Sequence, residues 1–277
     1  MSSAAWKMLF GFLALAGFFS ASLESYGALF TFSSTNVIVI NETGTPPIPA
    51  APYPASLSVT GLNGLVVTKL TVTLHGLTHT FPSDINILLL GPLGQRAIIM
   101  AQTGGQDRYS VTNLSLTLDD NAATPLPIYT SLTSGTFQPT DGYLSLGYPH
   151  FPYDFPAPAP PGNSNSLSAL SVFKNTDPTG QWSLFVVADS TGDSGSISGG
   201  WSLNLSVAVP LQVTRSPTNI IVSWPASAPN CSLQTAPDIS ASGGWTNIPT
   251  IPHTNLGRVT VTNPIYPGKM FFRLVGY

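Results

Sequence analysis

Regular alternation of apolar and polar residues over residues 200–209 constrains this chain more than any other feature. Apolar residues occupy every second position, namely Trp201, Leu203, Leu205, Val207 and Val209, with Ser202, Asn204, Ser206 and Ala208 between them. A period of two residues is typical of a β-strand with one buried face. Residues 177–189 form a second strand-like run that contains Trp182, and a segment rich in Ser, Thr, Gly and Asp separates the two. We therefore expect a β-hairpin that closes a β-sandwich.

The composition extends this expectation to the whole chain. Of the 277 residues, 43% are hydrophobic and 8% are charged, and 25 Gly and 26 Pro punctuate the sequence. Such a chain is too apolar to be disordered and too rich in turn formers to be helical, so the predicted fold class is all-β. The formal net charge is -3, and the nine basic residues are scattered. Nucleic acid is therefore not an expected partner.

Residues 1–27 have the pattern of an export signal. Lys7 precedes an apolar stretch over residues 8–19, and small residues at 20–22 offer a cleavage site. Twelve apolar residues are too few for a membrane span, which needs about 20. We expect cleavage after Ser22 or Gly27, and a bacterial product that is secreted or held at the cell surface, without a membrane span. The alternative is a buried N-terminal helix.

Further strands follow from the same period-two pattern. They are expected in residues 28–40, 66–74, 85–90, 97–100 and 114–118, with a hairpin turn at 91–94. Five prolines in residues 45–54 predict an extended connector. Residues 147–166 hold six prolines and four aromatic residues. This segment is either a specificity loop laid over the sandwich or an extended tether packed by its own aromatic side chains.

The character of the sequence changes at Pro210. Six short strands with regular turns between them are expected in residues 211–214, 219–224, 232–234, 245–248, 259–262 and 270–274. The run Phe-Phe-Arg-Leu at 271–274 resembles the last strand of small immunoglobulin-like or fibronectin-like modules of secreted bacterial proteins. This resemblance implies a second β-sandwich over residues 210–277.

Three motifs in order resemble the P domain, or Homo B domain, of subtilisin/kexin-like proprotein convertases. They are the His-Thr, Asp-led strand and Pro-x-Gly turn of residues 79–94, the Leu-Asp-Asp-Asn-Ala of 118–122, and the two tryptophan strands with their Asp-Ser-Gly loop in 180–205. The resemblance covers residues 45–209. It implies a jelly-roll, galactose-binding-like sandwich over residues 28–209. It also implies an association with proteolysis, because that domain accompanies a subtilisin catalytic domain and stabilises it.

Catalytic patterns are weak in this sequence. Residues 192–195, Gly-Asp-Ser-Gly, mimic the loop around the nucleophile of trypsin-like proteases, which makes Ser194 a candidate to be tested. None of the four histidines, His75, His79, His150 and His253, lies in a context typical of a catalytic histidine. His75 and His79 are four residues apart, but Gly76 stands where a metalloprotease has Glu. The blocks of a subtilisin catalytic domain are also missing, so we expect no enzymatic activity.

Aspartate is the residue type that points to a ligand. Ten of the twelve acidic residues are Asp, and five of these lie at expected loops or strand ends of the three motifs: Asp84, Asp119, Asp120, Asp189 and Asp193. Calcium takes six to eight oxygen ligands from carboxylates and carbonyls. One or two structural calcium sites are therefore expected where these strand ends converge. The alternative is that the aspartates only form turns and caps.

Cys231 is the single cysteine, and we expect a buried, inert thiol because no nearby charge activates it. These expectations combine into a secreted, non-catalytic module that binds an extracellular protein or a surface polymer through loops such as 141–166. Two alternatives remain, a carbohydrate-binding module and an accessory to a subtilisin-like serine endopeptidase. Exposed Trp or Tyr side chains beside the proline-rich segment 147–166 favour the carbohydrate alternative.

Overall fold

The computed structural model describes residues 9–11, 21–22, 28–105, 109–147, 155–161, 167–228, 231–238, 244–265 and 270–276. Almost all of its regular structure is β, which confirms the predicted fold class. The chain divides into two compact units. The large unit comprises residues 29–60 and 67–206, and the small unit comprises residues 1–28, 61–66 and 207–277.

The elements follow one another along the chain in this order. The first twelve strands are β1 (Leu9–Gly11), β2 (Ala21–Ser22), β3 (Ala28–Ser34), β4 (Ile38–Asn41), β5 (Ile48–Pro49), β6 (Ala55–Val59), β7 (Val66–His79), β8 (Ile85–Leu90), β9 (Arg96–Ala101), β10 (Val111–Leu118), β11 (Gly135–Phe137) and β12 (Thr140–Asp141). A short helix α1 (Gly142–Ser145) follows, and then β13 (Gly180–Ala188), β14 (Ser194–Ile197), β15 (Trp201–Ala208), β16 (Gln212–Arg215), β17 (Asn219–Pro225), β18 (Cys231–Ala236), β19 (Thr246–Asn247), β20 (His253–Asn255), β21 (Arg258–Pro264) and β22 (Phe271–Gly276). Two 3₁₀ segments cover Pro82–Asp84 and Leu170–Phe173.

Two sheets build the large unit. The first has the order β11-β10-β7-β14-β4, and β15 joins it by pairing with β7 and β3. The second has the order β12-β9-β8-β13-β5, with β6 also paired to β13. The predicted inward face of β15 is confirmed, since Trp201, Leu203 and Leu205 are all fully buried, but Ser202 and Ala208 on the other face are buried as well. The strand predicted at 66–74 is confirmed and extends to His79 as β7.

The expected hairpin between the two tryptophan strands is wrong. β13 pairs with β8, β5 and β6 in one sheet, whereas β15 pairs with β3 and β7 in the other. Between them, β14 pairs with β4 and β7. The chain therefore crosses from one sheet to the other. Period-two alternation shows which face of a strand is buried, but it does not select the partner strand.

The hairpin predicted around residues 91–94 is confirmed. β8 and β9 pair antiparallel, and the turn is closed by a hydrogen bond from Gly91 N–H to the Gln95 carbonyl of 2.8 Å. Gly94 lies in the turn with φ of +89°, a conformation that suits glycine. The jelly-roll connectivity implied by the P-domain resemblance stays a prediction.

The outer face of the second sheet is covered by part of the proline-rich segment. Phe155 and Ala159 are buried in one cluster with Leu88, Ile98, Ala101, Phe185 and Val187. The Tyr53 hydroxyl donates to the Pro156 carbonyl over 2.9 Å, and its ring meets Phe185 edge-on. Residues 155–161 thus pack on the sheet, while residues 148–154 and 162–166 of the predicted loop lie outside the described residues.

The small unit contains two further sheets, ordered β19-β18-β22-β1-β2 and β16-β17-β21-β20. A strand is present in each of the six predicted segments, and β20 is an additional one. Trp224 and Phe272 are buried in its core. Cys231 is half-buried, and burial raises the pKa of its thiol to about 11. The boundary at 209/210 and the independence of this module stay predictions.

The export signal predicted for residues 1–27 falls almost wholly outside the described residues. Within it the structure describes the backbone of Leu9–Gly11 and Ala21–Ser22, which pair with each other and, through the first, with β22. Signal cleavage and secretion stay predictions. In the part of the chain that is described, no helix has the length and apolar character needed to cross a membrane.

Candidate functional site

Three acidic side chains meet in the large unit, and we call them the carboxylate cluster. They belong to Glu42, Asp84 and Asp193, whose nearest carboxylate oxygens all lie within 4.8 Å of one another. Glu42 and Asp84 are buried and Asp193 is partly buried. Among the described residues, this is the one group of three or more acidic, histidine or cysteine side chains close enough to share a metal ion.

Strand pairing brings two members of the cluster together. Glu42 follows β4, Asp193 precedes β14, and the adjoining residues Asn41 and Ser194 are partners in the antiparallel β4–β14 ladder. The Asp193 backbone N–H donates to Glu42 Oε2 over 2.9 Å. The sheet therefore fixes the distance between these two carboxylates.

Asp84 enters from the opposite sheet. It ends the 3₁₀ segment Pro82–Asp84, directly before β8. Its carbonyl accepts hydrogen bonds from the Asp189 backbone N–H (3.0 Å) and from Asn86 Nδ2 (3.1 Å). The backbone at Asp84 is thus held from two sides, so its carboxylate is delivered by a rigid segment.

His79 lies behind the cluster at the end of β7. Its side chain is buried, and its Nδ1 accepts the Phe81 backbone N–H over 3.1 Å. Burial lowers the pKa of His79, so the ring is neutral at pH 7. With Nδ1 acting as an acceptor, the proton of the neutral ring is on Nε2, which lies 3.5 Å from Glu42 Oε1. His79 therefore presents an N–H donor to the cluster.

Asp189 belongs to a separate network. Its Oδ2 accepts hydrogen bonds from Asn86 Nδ2 at 3.0 Å and from the Tyr143 hydroxyl. Burial raises the pKa of Asp189, and these two hydrogen bonds oppose the rise. Burial and the neighbouring Asp189 also raise the pKa of Tyr143, which stays a hydrogen-bond donor. The structure thus places Asp189 as an anchor for α1, outside the group of three.

Asp119 and Asp120 are bound elsewhere. Asp119 forms an ion pair of 2.7 Å with Lys69 and accepts the Asn121 backbone N–H. Asp120 accepts the backbone N–H groups of Leu170 (2.8 Å) and Ser171 (2.7 Å). Of the five aspartates singled out in the sequence, the structure brings Asp84 and Asp193 together and does not add Asp119, Asp120 or Asp189 to them.

Glu42 was missed by sequence reasoning, which attended to aspartate and to the three motifs. A usable signal was present, since Glu42 is the acidic residue that follows the short strand Ile38–Asn41. What the sequence did not give was the identity of the strand that pairs with it. The β4–β14 ladder, between segments far apart in the chain, supplies that information.

Ser194 does not lie in a catalytic arrangement. Its side chain is exposed, and none of the described hydrogen bonds joins its hydroxyl to a histidine. The acceptor nitrogen of His79 is taken by Phe81, and His75 Nε2 is bonded to Ser202 Oγ at 2.9 Å. His253 lies in β20 of the small unit, and His150 falls outside the described residues. The absence of enzymatic activity stays a prediction.

Two exposed aromatic side chains mark a second feature, which we call the tyrosine surface. Tyr129 is 61% exposed and Tyr109 is 40% exposed. Their loops are joined because Gly104 and Gly105 donate backbone hydrogen bonds to the carbonyls of residues 127 and 128, at 2.7 and 3.2 Å. The Tyr109 ring lies against Gly105, where no Cβ can fit. The tyrosine surface consists of Tyr109, Tyr129 and the backbone of residues 104–105 and 127–130.

Comparison with known proteins yields little. No family model matches the sequence, and no curated protein matches it. A crystal structure of a serine protease of Aeromonas sobria aligns at 11% identity, and a structure of Aeromonas sobria serine protease in complex with its chaperone aligns at 12%. Each alignment covers 92% of this chain and 28% of the other, with a TM-score of 0.18. The chain thus spans under a third of those neighbours' length, and at that TM-score the likeness supports no inference.

Proposed function

We propose that the large unit is a non-catalytic, P-domain-like binding module that acts outside the cell and holds a polysaccharide on its tyrosine surface. The observation that carries this proposal is the exposure of two tyrosine side chains on adjoining, hydrogen-bonded loops. Among the Phe, Trp and Tyr side chains that the structure describes, Tyr109 and Tyr129 are exposed, whereas Trp182 and Trp201 are fully buried. Solvent-exposed aromatic faces on a rigid scaffold are suited to ligand contact.

A sugar suits this surface for two physical reasons. Each tyrosine offers an apolar ring face for the C–H groups of a pyranose ring and a hydroxyl that can hydrogen-bond to its edge. The loop backbone beneath them is fixed by the two glycine hydrogen bonds, so little conformational entropy is lost on binding. The exposed side chain of Leu93 lies elsewhere in the same unit, on the β8–β9 turn, and provides a matched control.

The test is retention on polysaccharides. The full chain is incubated with insoluble cellulose, chitin, xylan and peptidoglycan, and bound protein is measured as a function of its concentration. We expect binding to at least one of them, weakened about 5- to 30-fold in Tyr129→Ala and Tyr109→Ala, as for a contact worth 1 to 2 kcal/mol. Leu93→Ala should bind like the wild type.

Two results contradict the proposal. If the chain is retained on none of the polysaccharides, the sugar proposal is wrong. If it instead captures a single extracellular protein, the tyrosine surface serves protein recognition. Retention that survives both tyrosine substitutions removes the tyrosine surface as the site. Circular dichroism of each variant should show an unchanged fold, because both side chains are solvent-exposed and their loss should affect stability little.

A further inference from the structure

We propose that Glu42, Asp84 and Asp193 together hold one calcium ion, with His79 orienting Glu42 from behind. This inference is independent of the tyrosine surface and of any sugar. It replaces the set of five aspartates expected from the sequence by a set of three carboxylates from three separate loops. Only two residues, Asp84 and Asp193, are common to both sets.

The first step is the proximity of the three carboxylates. Their oxygens lie within 4.8 Å of one another, and Glu42 and Asp84 are buried, where like charges are screened poorly by water. Carboxylates at such separations repel one another unless protons or a cation lie between them. The backbone that carries the cluster is also held in place, through the β4–β14 ladder and the 3₁₀ segment, so the three segments are not free to move apart.

The second step is an independent observation on His79. Its side chain is buried, its Nε2 lies 3.5 Å from Glu42 Oε1, and among the described residues this nitrogen has no hydrogen-bond partner. A buried N–H donor without a partner is unfavourable by itself. Donors of this kind behind a ligating carboxylate are typical of metal sites, where they fix the orientation of the ligand.

The third step is the choice of ion. All three ligands are carboxylate oxygens, and among the described residues no histidine nitrogen lies close enough to all three to join the group. Zinc prefers nitrogen and sulfur ligands, whereas calcium takes six to eight oxygens in a flexible geometry. Magnesium demands a rigid octahedron and keeps most of its water. Calcium, completed by water and backbone carbonyls, is therefore the ion that matches this set.

The experiment uses the full chain, stripped with a chelator and dialysed. Equilibrium dialysis with radioactive calcium gives the stoichiometry, and thermal unfolding is followed in CaCl2, in MgCl2 and in EGTA at equal ionic strength. We expect one ion per chain. Calcium at 100 times its dissociation constant should raise the unfolding temperature by about 5 to 10 °C, and magnesium should raise it much less.

Two substitutions define the site, and a third controls for loss of charge. Glu42→Gln and Asp193→Asn should each weaken calcium binding at least tenfold. Asp120→Asn, the same change at an aspartate outside the cluster, should bind calcium as the wild type does.

Glu42→Gln also separates a lost ligand from a misfolded protein. Gln keeps an acceptor for the Asp193 N–H and removes one charge from the cluster. In EGTA this variant should therefore unfold at the same temperature as the wild type or higher, although its calcium response is lost.

Three outcomes would overturn the proposal. The first is the absence of bound calcium at 10 mM together with no shift of the unfolding temperature, which would leave shared protons as the element that holds the carboxylates together. The second is unchanged calcium binding in both cluster variants. The third is an equal loss of binding in Asp120→Asn. Retention on polysaccharides is measured separately, so failure of the sugar proposal is distinguishable from failure of this one.

Discussion

Replacement of Asp120 by Ala tests whether this aspartate fastens two loops directly, without a metal. Its carboxylate accepts the backbone N–H groups of Leu170 and Ser171, at 2.8 and 2.7 Å, and so caps the 3₁₀ segment that carries the buried Phe173. Removal of a capping side chain costs about 0.5 to 2 kcal/mol, and bonds to a charged acceptor lie toward the upper end. Two such bonds are lost together, but the Ser171 bond is solvent-exposed and contributes less than the Leu170 bond. We therefore expect a total loss of about 2 kcal/mol in the free energy of unfolding.

The assay is differential scanning calorimetry of the full chain in calcium and in chelator. For a unit of this size, about 2 kcal/mol corresponds to a decrease of about 4 to 8 °C in unfolding temperature. The decrease for Asp120→Ala should be the same with and without calcium. Asp120→Asn keeps one carbonyl oxygen as an acceptor and should lose about half as much.

Either of two results refutes this reasoning. A decrease that appears only in calcium would mean that Asp120 acts through a bound ion, as the sequence motif suggested. A change below about 0.5 kcal/mol, the range of ordinary surface substitutions, would mean that water replaces the carboxylate at both N–H groups without loss.

Three further predictions concern other parts of the chain. Gly195→Ala should lower the free energy of unfolding in urea by about 2 to 3 kcal/mol, because a Cβ there meets the Thr78 carbonyl of the neighbouring strand. The control Ser194→Ala should stay within about 0.5 kcal/mol of the wild type. Equal stabilities of the two variants would contradict this packing. Cys231, with a pKa of about 11 against 9.0 unperturbed, should react with iodoacetamide at pH 8 roughly tenfold more slowly than in the urea-unfolded chain. The folded chain has about 100-fold less thiolate, and the higher nucleophilicity of that thiolate offsets part of the difference. Equal rates would show that the thiol is not shielded. Tyr53→Phe removes the hydrogen bond to the Pro156 carbonyl and should lower the free energy of unfolding in urea by about 1 kcal/mol. An unchanged free energy would show that packing alone holds residues 155–161 on the sheet.

Local features of the fold could be predicted from the sequence because they depend on neighbours in the chain. Alternation in residues 201–208 gave a strand and its buried face, and the glycines at 91 and 94 gave a hairpin. Pairing between distant segments could not be predicted in this way. The hairpin expected between the tryptophan strands failed because β13 and β15 each pair with strands far away in the sequence.

The same limit applies to the carboxylate cluster. Asp84 and Asp193 could be proposed as ligands from their positions at strand ends, but nothing local separates them from Asp119 and Asp120, which also follow a strand. The difference is spatial. Asp84 and Asp193 approach each other from two different sheets, whereas Asp119 pairs with Lys69 and Asp120 binds the second 3₁₀ segment. Glu42 enters the cluster only through that long-range ladder.

The crossing of the chain between the two sheets has a consequence for synthesis. β4 emerges early, yet Ile38 finds its partner Ile197 only when β14 has been made, and β3 waits for β15. Such non-local pairing folds slowly, because the entropy of closing a long loop is lost before the contacts form. The first sheet therefore stays incomplete until nearly all of the large unit has left the ribosome. A chain truncated before residue 194 lacks the partner of β4, so nascent fragments of the large unit leave this sheet open.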